Sequence, residues 1–270
     1  MAETIPLFPK LGNIVVQSGN IVNWNRLKRK PNNTPTEEIC ECISACLNKH
    51  LESADRNQLQ YTTELFCENK EFKEKLPDDE RDNLKITVKV ILYNRENPEV
   101  INDAVDKALN ELGVSFVETV ILAIPDPNED LTVEDFKPSW QILQKLVDEQ
   151  KILSLGVSDL DKTKFEQLFT WASVKPIIDQ VNLASCCVMP EDLREFAKQH
   201  DILLLTHNDP PDVLPLQQLQ DTIRKSSTQK DGDFWQPSWI SRYSVIVKCR
   251  GIIRTKGYVI DLIKDIKRRN

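Results

Sequence analysis

From about residue 85 onward, short apolar, β-branched runs alternate with segments of helical spacing. The runs are Ile86 to Leu92, Val117 to Ile124, Ile152 to Val157, Ile177 to Leu183 and Ile202 to Leu205. Near-continuous apolar strands are what a parallel sheet requires when helices cover it. Between the runs, Val105, Ala108, Leu109 and Leu112 fall at i, i+3, i+4 and i+7. Phe136, Trp140, Leu143 and Val147 repeat the stripe, as do Phe165, Leu168, Phe169 and Ala172, with a shorter one at Leu193, Phe196 and Ala197. Intervals of roughly 25–35 residues between strands suit right-handed βαβ crossovers. The pattern predicts an α/β barrel or a doubly wound sheet.

The first 80 residues are less regular. Asn13 to Val22 supplies a candidate opening strand, and Thr36 to Leu51 reads as a helix with Ile39, Ile43, Cys46 and Leu47 on one face. No run marks a second barrel strand. Lys225 to Asp233 reads as an exposed loop, followed by a C-terminal segment from Trp235 to Asn270 with its own apolar run, Tyr243 to Val247. There is no internal repeat and no low-complexity tract. The 270 residues are read as one domain spanning 1–270, since an α/β barrel needs about 250.

Charge narrows the function. The formal net charge is −7, and a nucleic-acid site needs a basic face. The basic clusters Arg26-Leu27-Lys28-Arg29-Lys30 and Lys264 to Arg269 read as solvated faces or partner contacts. The start shows no basic-then-apolar leader, and no stretch approaches about 18 uninterrupted apolar residues. Seven cysteines, an odd number at irregular spacing, do not form a secreted disulfide framework. A cytoplasmic protein is expected. Cys42, Cys46 and His50 sit at i, i+4 and i+8 of the predicted helix, so about 12 Å separates the outer two, too far for one zinc ion. No metal site and no glycine-rich phosphate loop is predicted, and neither His200 nor His207 has a nucleophile near it in sequence.

The middle of the chain resembles the aldo-keto reductases. Ala108 to Val114 followed by Val120-Ile121-Leu122-Ala123-Ile124-Pro125-Asp126 is similar to a helix and the fourth strand of that family. Leu146 to Ile152, Leu155-Gly156-Val157-Ser158-Asp159, Gln180-Val181-Asn182-Leu183 and Glu195 through Leu205 continue the match in order, over residues 81 to 207. A closer resemblance, to the glutamate–cysteine ligase modifier subunits within that superfamily, rests on five further stretches. They are Ser18 to Trp24, Gly156 to Thr163, Gln180 to Pro190, Leu205 to Pro210 and Arg242 to Lys248 running on to Ile253. The resemblance implies a single (β/α)8 TIM-type barrel with an irregular N-terminal portion.

It also implies where reductase chemistry would sit. The family uses Asp, Tyr, Lys and His beside a nicotinamide, the Tyr donating a proton to the developing alkoxide. Lys89 stands at the lysine position, but Ala123 occupies the histidine position. No Asp stands five residues before Tyr61, Tyr93, Tyr243 or Tyr258. A methyl group cannot share a proton, so the site lacks most of its parts, and Lys89 reads as a vestige in the barrel interior or as a strand-end lysine that reaches to solvent. Ser158, Asp159 and Gln180 stand where the family cradles the nicotinamide amide. Asp in place of Asn removes a donor and adds charge, so no cofactor is expected, although residual NADP binding stays open. Asp159 or Asp161 could equally cap the helix beginning near Lys162.

By the same resemblance the chain is a non-catalytic regulatory subunit. It would form a heterodimer with the ligase catalytic subunit, lower its glutamate requirement and relieve feedback by glutathione. The alternative is an NADPH-dependent reductase. Trp235 and Trp239, with Tyr243 nearby, are candidate partner anchors, because aromatic residues dominate such contacts, or else simply close the eighth strand of the barrel. Cys186 and Cys187, after one strand, and Cys249, after another, are expected on loops at the same mouth of the barrel, as candidates for a redox link to the partner.

Overall fold

The structure is a computed structural model, and it describes residues 6–24, 33–182 and 189–265. Five strands and the helices between them follow the sequence pattern: β3 (Leu84–Leu92), α3 (Val100–Leu112), β4 (Val117–Ala123), α4 (Val133–Asp148), β5 (Ile152–Ser158), α5 (Lys162–Trp171), β6 (Pro176–Asn182), α6 (Glu191–Gln199) and β7 (Leu203–His207). Before them come β1 (Asn13–Gln17), α1 (Pro35–Ser53), the one-turn α2 (Arg56–Leu59) and β2 (Glu64–Glu68). After them come α7 (Leu216–Ser226), β8 (Trp235–Val247) and β9 (Ile252–Lys264). This is the α/β fold that the sequence pattern predicts. The nine strands among the described residues join one sheet in the order β2-β1-β9-β8-β3-β4-β5-β6-β7.

β3 to β7 pair in parallel through successive neighbours, as the βα repeat predicts. The rest of the sheet departs from an all-parallel repeat. β8 runs antiparallel to β3, β9 antiparallel to β8, and β1 antiparallel to β9 with β2 parallel to it. A long hairpin therefore stands where the repeat would have placed β1 and β2. Hairpin strands of 13 residues each can pair with one another locally, which a parallel neighbour cannot do without a crossover.

The sheet is strongly curved. Four strand spacings of about 4.8 Å would hold β3 and β7 roughly 19 Å apart if it were flat. Yet the Lys89 amine on β3 lies 2.8 Å from the carboxylate of Asp209, two residues beyond β7. Side chains alternate between two apolar layers, as strand geometry demands. Ile86, Val88, Val90 and Leu92 pack with the inner faces of α3, α4, α5 and α6. Ile91, Ile240, Tyr258, Ile260 and Leu262 pack instead with α1 and with Leu219 and Ile223 of α7.

Local signals explain α1 well. Thr34 accepts from the Glu37 amide at 3.2 Å, Glu37 reaches back to the Thr34 amide at 2.9 Å, and Pro35 opens the first turn, a full capping box. The expected face Ile39, Ile43, Cys46 and Leu47 is buried, with Cys42 beside it. The expected loop at Lys225 to Asp233 is partly helical and holds a buried group. Asp231 is fully enclosed and accepts from the amides of Leu7 and Phe8, because those two N–H groups have no strand partner.

One glycine is required by packing. A Cβ on Gly257 would stand 2.2 Å from the Tyr243 hydroxyl and 2.3 Å from the Gly19 carbonyl, the two atoms joined by a 2.9 Å hydrogen bond. Gly257→Ala should therefore cost roughly 1–3 kcal/mol by overpacking. A denaturant midpoint equal to that of the parent chain would show that the strands part without penalty.

Candidate functional site

The carboxyl ends of parallel strands are where α/β folds gather their functional groups, and here β3 to β7 bring together a polar floor. Lys89 of β3 donates to Ser158 Oγ at 2.9 Å and to Asp209 Oδ2 at 2.8 Å. Arg242 of β8 is the cross-strand partner of Lys89 and grips the same carboxylate with both terminal nitrogens, at 2.6 and 2.8 Å. The Asp209 amide nitrogen and carboxylate lie 3.1 and 3.3 Å from His207 Nδ1, while His207 Nε2 lies 2.9 Å from Asp159 Oδ1. The Asn182 amide N–H donates to Asp159, and its side chain donates to the Asp209 carbonyl.

The electrostatics follow from this packing. Burial opposes ionisation of Asp209, but hydrogen bonds from His207 and Arg242 and the charges of Arg242 and Lys89 outweigh it, so its carboxyl is held far below the ordinary range. Burial lowers Lys89, with Arg242 adding to the effect and Asp209 offsetting part of it. Burial likewise works against His207, yet its hydrogen bonds to Asp159 and Asp209 raise it overall. Lys89 and Arg242 face Asp209 and Asp159, two charges of each sign. A buried pair is tolerated when additional hydrogen bonds hold its members, and here Ser158 and Asp209 take two of the three Lys89 donors while both terminal nitrogens of Arg242 are engaged.

Above the floor lies a pocket of about 390 Å³, at the small end for ligand sites. Ile91, Ala123, Leu131, Phe136 and Val213 form much of its apolar wall. Ala123 presents a methyl group to it, and no tyrosine stands among the described residues that line it. Tyr243 and Tyr258 are committed elsewhere, bonding to the Gly19 carbonyl and to Glu38.

A nicotinamide does not fit the groups present. Ser158 is already engaged with Lys89, Asp159 and the Gln180 carbonyl. Asp159, held at φ +64°, turns its oxygens to His207, Ser158 and the Asn182 amide. Of these three side chains, that of Gln180 has a buried oxygen, Oε1, with no hydrogen-bond partner among the described residues. Asp161, not Asp159, caps α5, accepting from the Lys164 amide.

The other expected site residues move. Trp235 and Trp239 are 0% exposed and pack in the core of this chain. The indole N–H of Trp235 is spent on the Asp231 carbonyl at 2.7 Å. Cys249 is exposed but emerges at the wrong end. Because β8 runs antiparallel to β3, pairing Leu84 with Val247 and Leu92 with Trp239, its far end lies at the amino ends of the parallel strands. About eight strand steps, roughly 27 Å, separate that turn from the pocket mouth. Cys186 and Cys187 lie outside the described residues, as do the basic runs 26–30 and 266–269.

Sequence reasoning missed Asp209, Arg242, Asn182 and the role of His207. A lysine inside an apolar strand demands a buried counter-ion, and Asp209 stands just past a strand end. The register that brings Arg242 alongside could not be read, because β8 comes from a hairpin far along the chain.

The aldo/keto reductase family model matches residues 66–208. A glutamate–cysteine ligase regulatory subunit from Rattus norvegicus is 42% identical over 94% of both chains. One from Homo sapiens is 43% identical over 91% of this chain and 90% of its own. The chain belongs to the glutamate–cysteine ligase regulatory-subunit family, within the aldo/keto reductases. A putative regulatory subunit of this family from Schizosaccharomyces pombe is 24% identical over 88% of this chain. Among solved structures, an aldo/keto reductase from Brucella melitensis aligns over 43% of this chain and 44% of its own, at 25% identity and a TM-score of 0.35.

Proposed function

We propose that this chain, as one domain over 1–270, is the non-catalytic regulatory subunit of a cytoplasmic glutamate–cysteine ligase. It would bind the catalytic subunit, lower the glutamate concentration that subunit needs and relieve its feedback inhibition by glutathione. The observation that carries this reading is the likeness at 42–43% identity, along nearly the whole chain, to proteins of that name. The site supports it from the other side, since Lys89 is bound to Asp209 and a methyl group stands at Ala123. No described helix is long and apolar enough to cross a membrane.

In physical terms regulation is a coupling free energy. The subunit must bind the active form of its partner more tightly than the inhibited form, and typical couplings of 1–3 kcal/mol correspond to about 5–150-fold changes in affinity. Co-expression with the catalytic subunit should therefore yield a complex whose apparent KM for glutamate is at least about 5-fold lower, and whose inhibition constant for glutathione is higher. A stable complex with both constants unchanged would sink the regulatory reading.

The reductase alternative gives an opposite expectation. With NADPH and a panel of aldehydes the isolated chain should oxidise no cofactor above a buffer blank. Saturable oxidation that disappears in Lys89→Met would overturn the non-catalytic assignment.

A further inference from the structure

Asp209 is held as a bound carboxylate ligand is held. Its two oxygens accept from the Arg242 fork at 2.6 and 2.8 Å and from Lys89 at 2.8 Å. Parallel N–H···O bonds from one guanidinium are the geometry by which arginine recognises a free carboxylate. The lysine and arginine side chains are 5% and 17% exposed, so the two cations are built into the wall. The carboxylate they hold belongs to a connection between β7 and α7, and it faces the pocket along with Pro210, Pro211 and Val213. The same connection is pinned at its far end, where Tyr93 donates to Asp212 at 3.0 Å and accepts from the Leu214 amide at 2.9 Å.

We propose that Lys89 and Arg242 form a carboxylate-binding site that opens on the pocket and is occupied by the chain's own Asp209. The site takes a small carboxylic acid whose apolar body lies against Ile91, Ala123 and Phe136. Such a ligand can seat only by releasing Asp209, and with it the segment 208–215 that Asp209 fastens over the pocket. Tethering gives Asp209 a high effective concentration, so the site is closed by default and a free acid competes at a disadvantage. The inference concerns the pocket alone and does not depend on the ligase reading.

Removing the tethered carboxylate exposes the site to a free one. Asp209→Gly should lower the melting temperature, because two buried cations lose their anion. Sodium acetate should restore at least half of that loss in a saturable manner, whereas sodium chloride at equal ionic strength should not. Adding Arg242→Leu to the glycine variant should abolish the acetate effect. Acetate is not joined to the backbone, so amide exchange of residues 208–215 should stay faster than in the parent chain even when stability has recovered. Should the glycine variant not fold, Asp209→Ser, which leaves less space but still removes the charge, is read in the same way. Equal responses to acetate and chloride would overturn the site, as would an acetate effect that survives loss of Arg242. Exchange over 208–215 that returns to the parent rate in acetate would overturn the role of Asp209 as a fastening.

Discussion

Trp235→Ala should lose about 3–5 kcal/mol of stability, the range for truncating a large buried aromatic side chain. Trp235 opens β8, is 0% exposed, and packs in the layer shared with α1 and α7. Its loss leaves a cavity and also strands the Asp231 carbonyl that its indole satisfies. Lys264, whose amine sits 5.4 Å from the ring, loses its cation–π contact too. Urea unfolding with unchanged slope and a lowered midpoint is the expected record. A variant as stable as the parent that nevertheless fails to capture a ligase catalytic subunit would restore Trp235 as a surface anchor. Deleting residues 235–270 is a poor substitute for this substitution, because it removes two strands from the interior of the sheet order.

Asp179→Asn should have the opposite sign and stabilise the chain at neutral pH. Asp179 of β6 is fully buried, and neither carboxylate oxygen has a hydrogen-bond partner of normal geometry. Burial first, then the nearby Asp159 charge, pushes its carboxyl well above the ordinary value, with the Leu160 amide opposing weakly. The folded chain thus holds a proton that the unfolded chain gives up above about pH 4. Stability contributed by such a group is present below the unfolded value and falls as pH rises towards the folded one. Asn matches the shape of the protonated acid and has no proton to lose. It removes about 1.4 kcal/mol of cost for each unit of upward shift and flattens the pH dependence above about pH 4. Asp209 works in the other direction: its depressed carboxyl contributes stability above the unfolded value that is lost as pH falls. The check is a series of denaturant midpoints between pH 4 and 8. A parent and variant that run parallel across that range would show that Asp179 is not held protonated by the fold.

Such groups mark the boundary of what the sequence reveals. β3 to β7 were legible because each buries an apolar run between helices of period 3.6, and both signals are local. β2, in Glu64–Glu68, was not, since only Leu65 and Cys67 face inward and its other residues are exposed or half-exposed. β9 hides for a different reason: Arg254, Lys256 and Asp261 interrupt the apolar alternation of Ile252–Lys264, and partners distant in sequence, Glu80 and Glu38, satisfy the first two. At the site, Lys89, Ala123 and Ser158 were found by position in a familiar order. Asp209 and Arg242 were found only by distance, because their roles come from a sheet order that no local pattern encodes.

That sheet order bears on how the chain is made. β9 follows the other described strands in synthesis, yet it lies between β1 and β8, and the Asn13 side chain donates to the Leu262 carbonyl 249 residues away. While the ribosome is still producing residues 235–264, β1 and β2 have no route to β3 through backbone pairing. The parallel units can form as they emerge, but the halves join only when the hairpin slots in between them. Closing so long a loop is slow, and unpaired strands left waiting are prone to self-association. The position of one hairpin thus sets the expectation of a late, slow refolding phase.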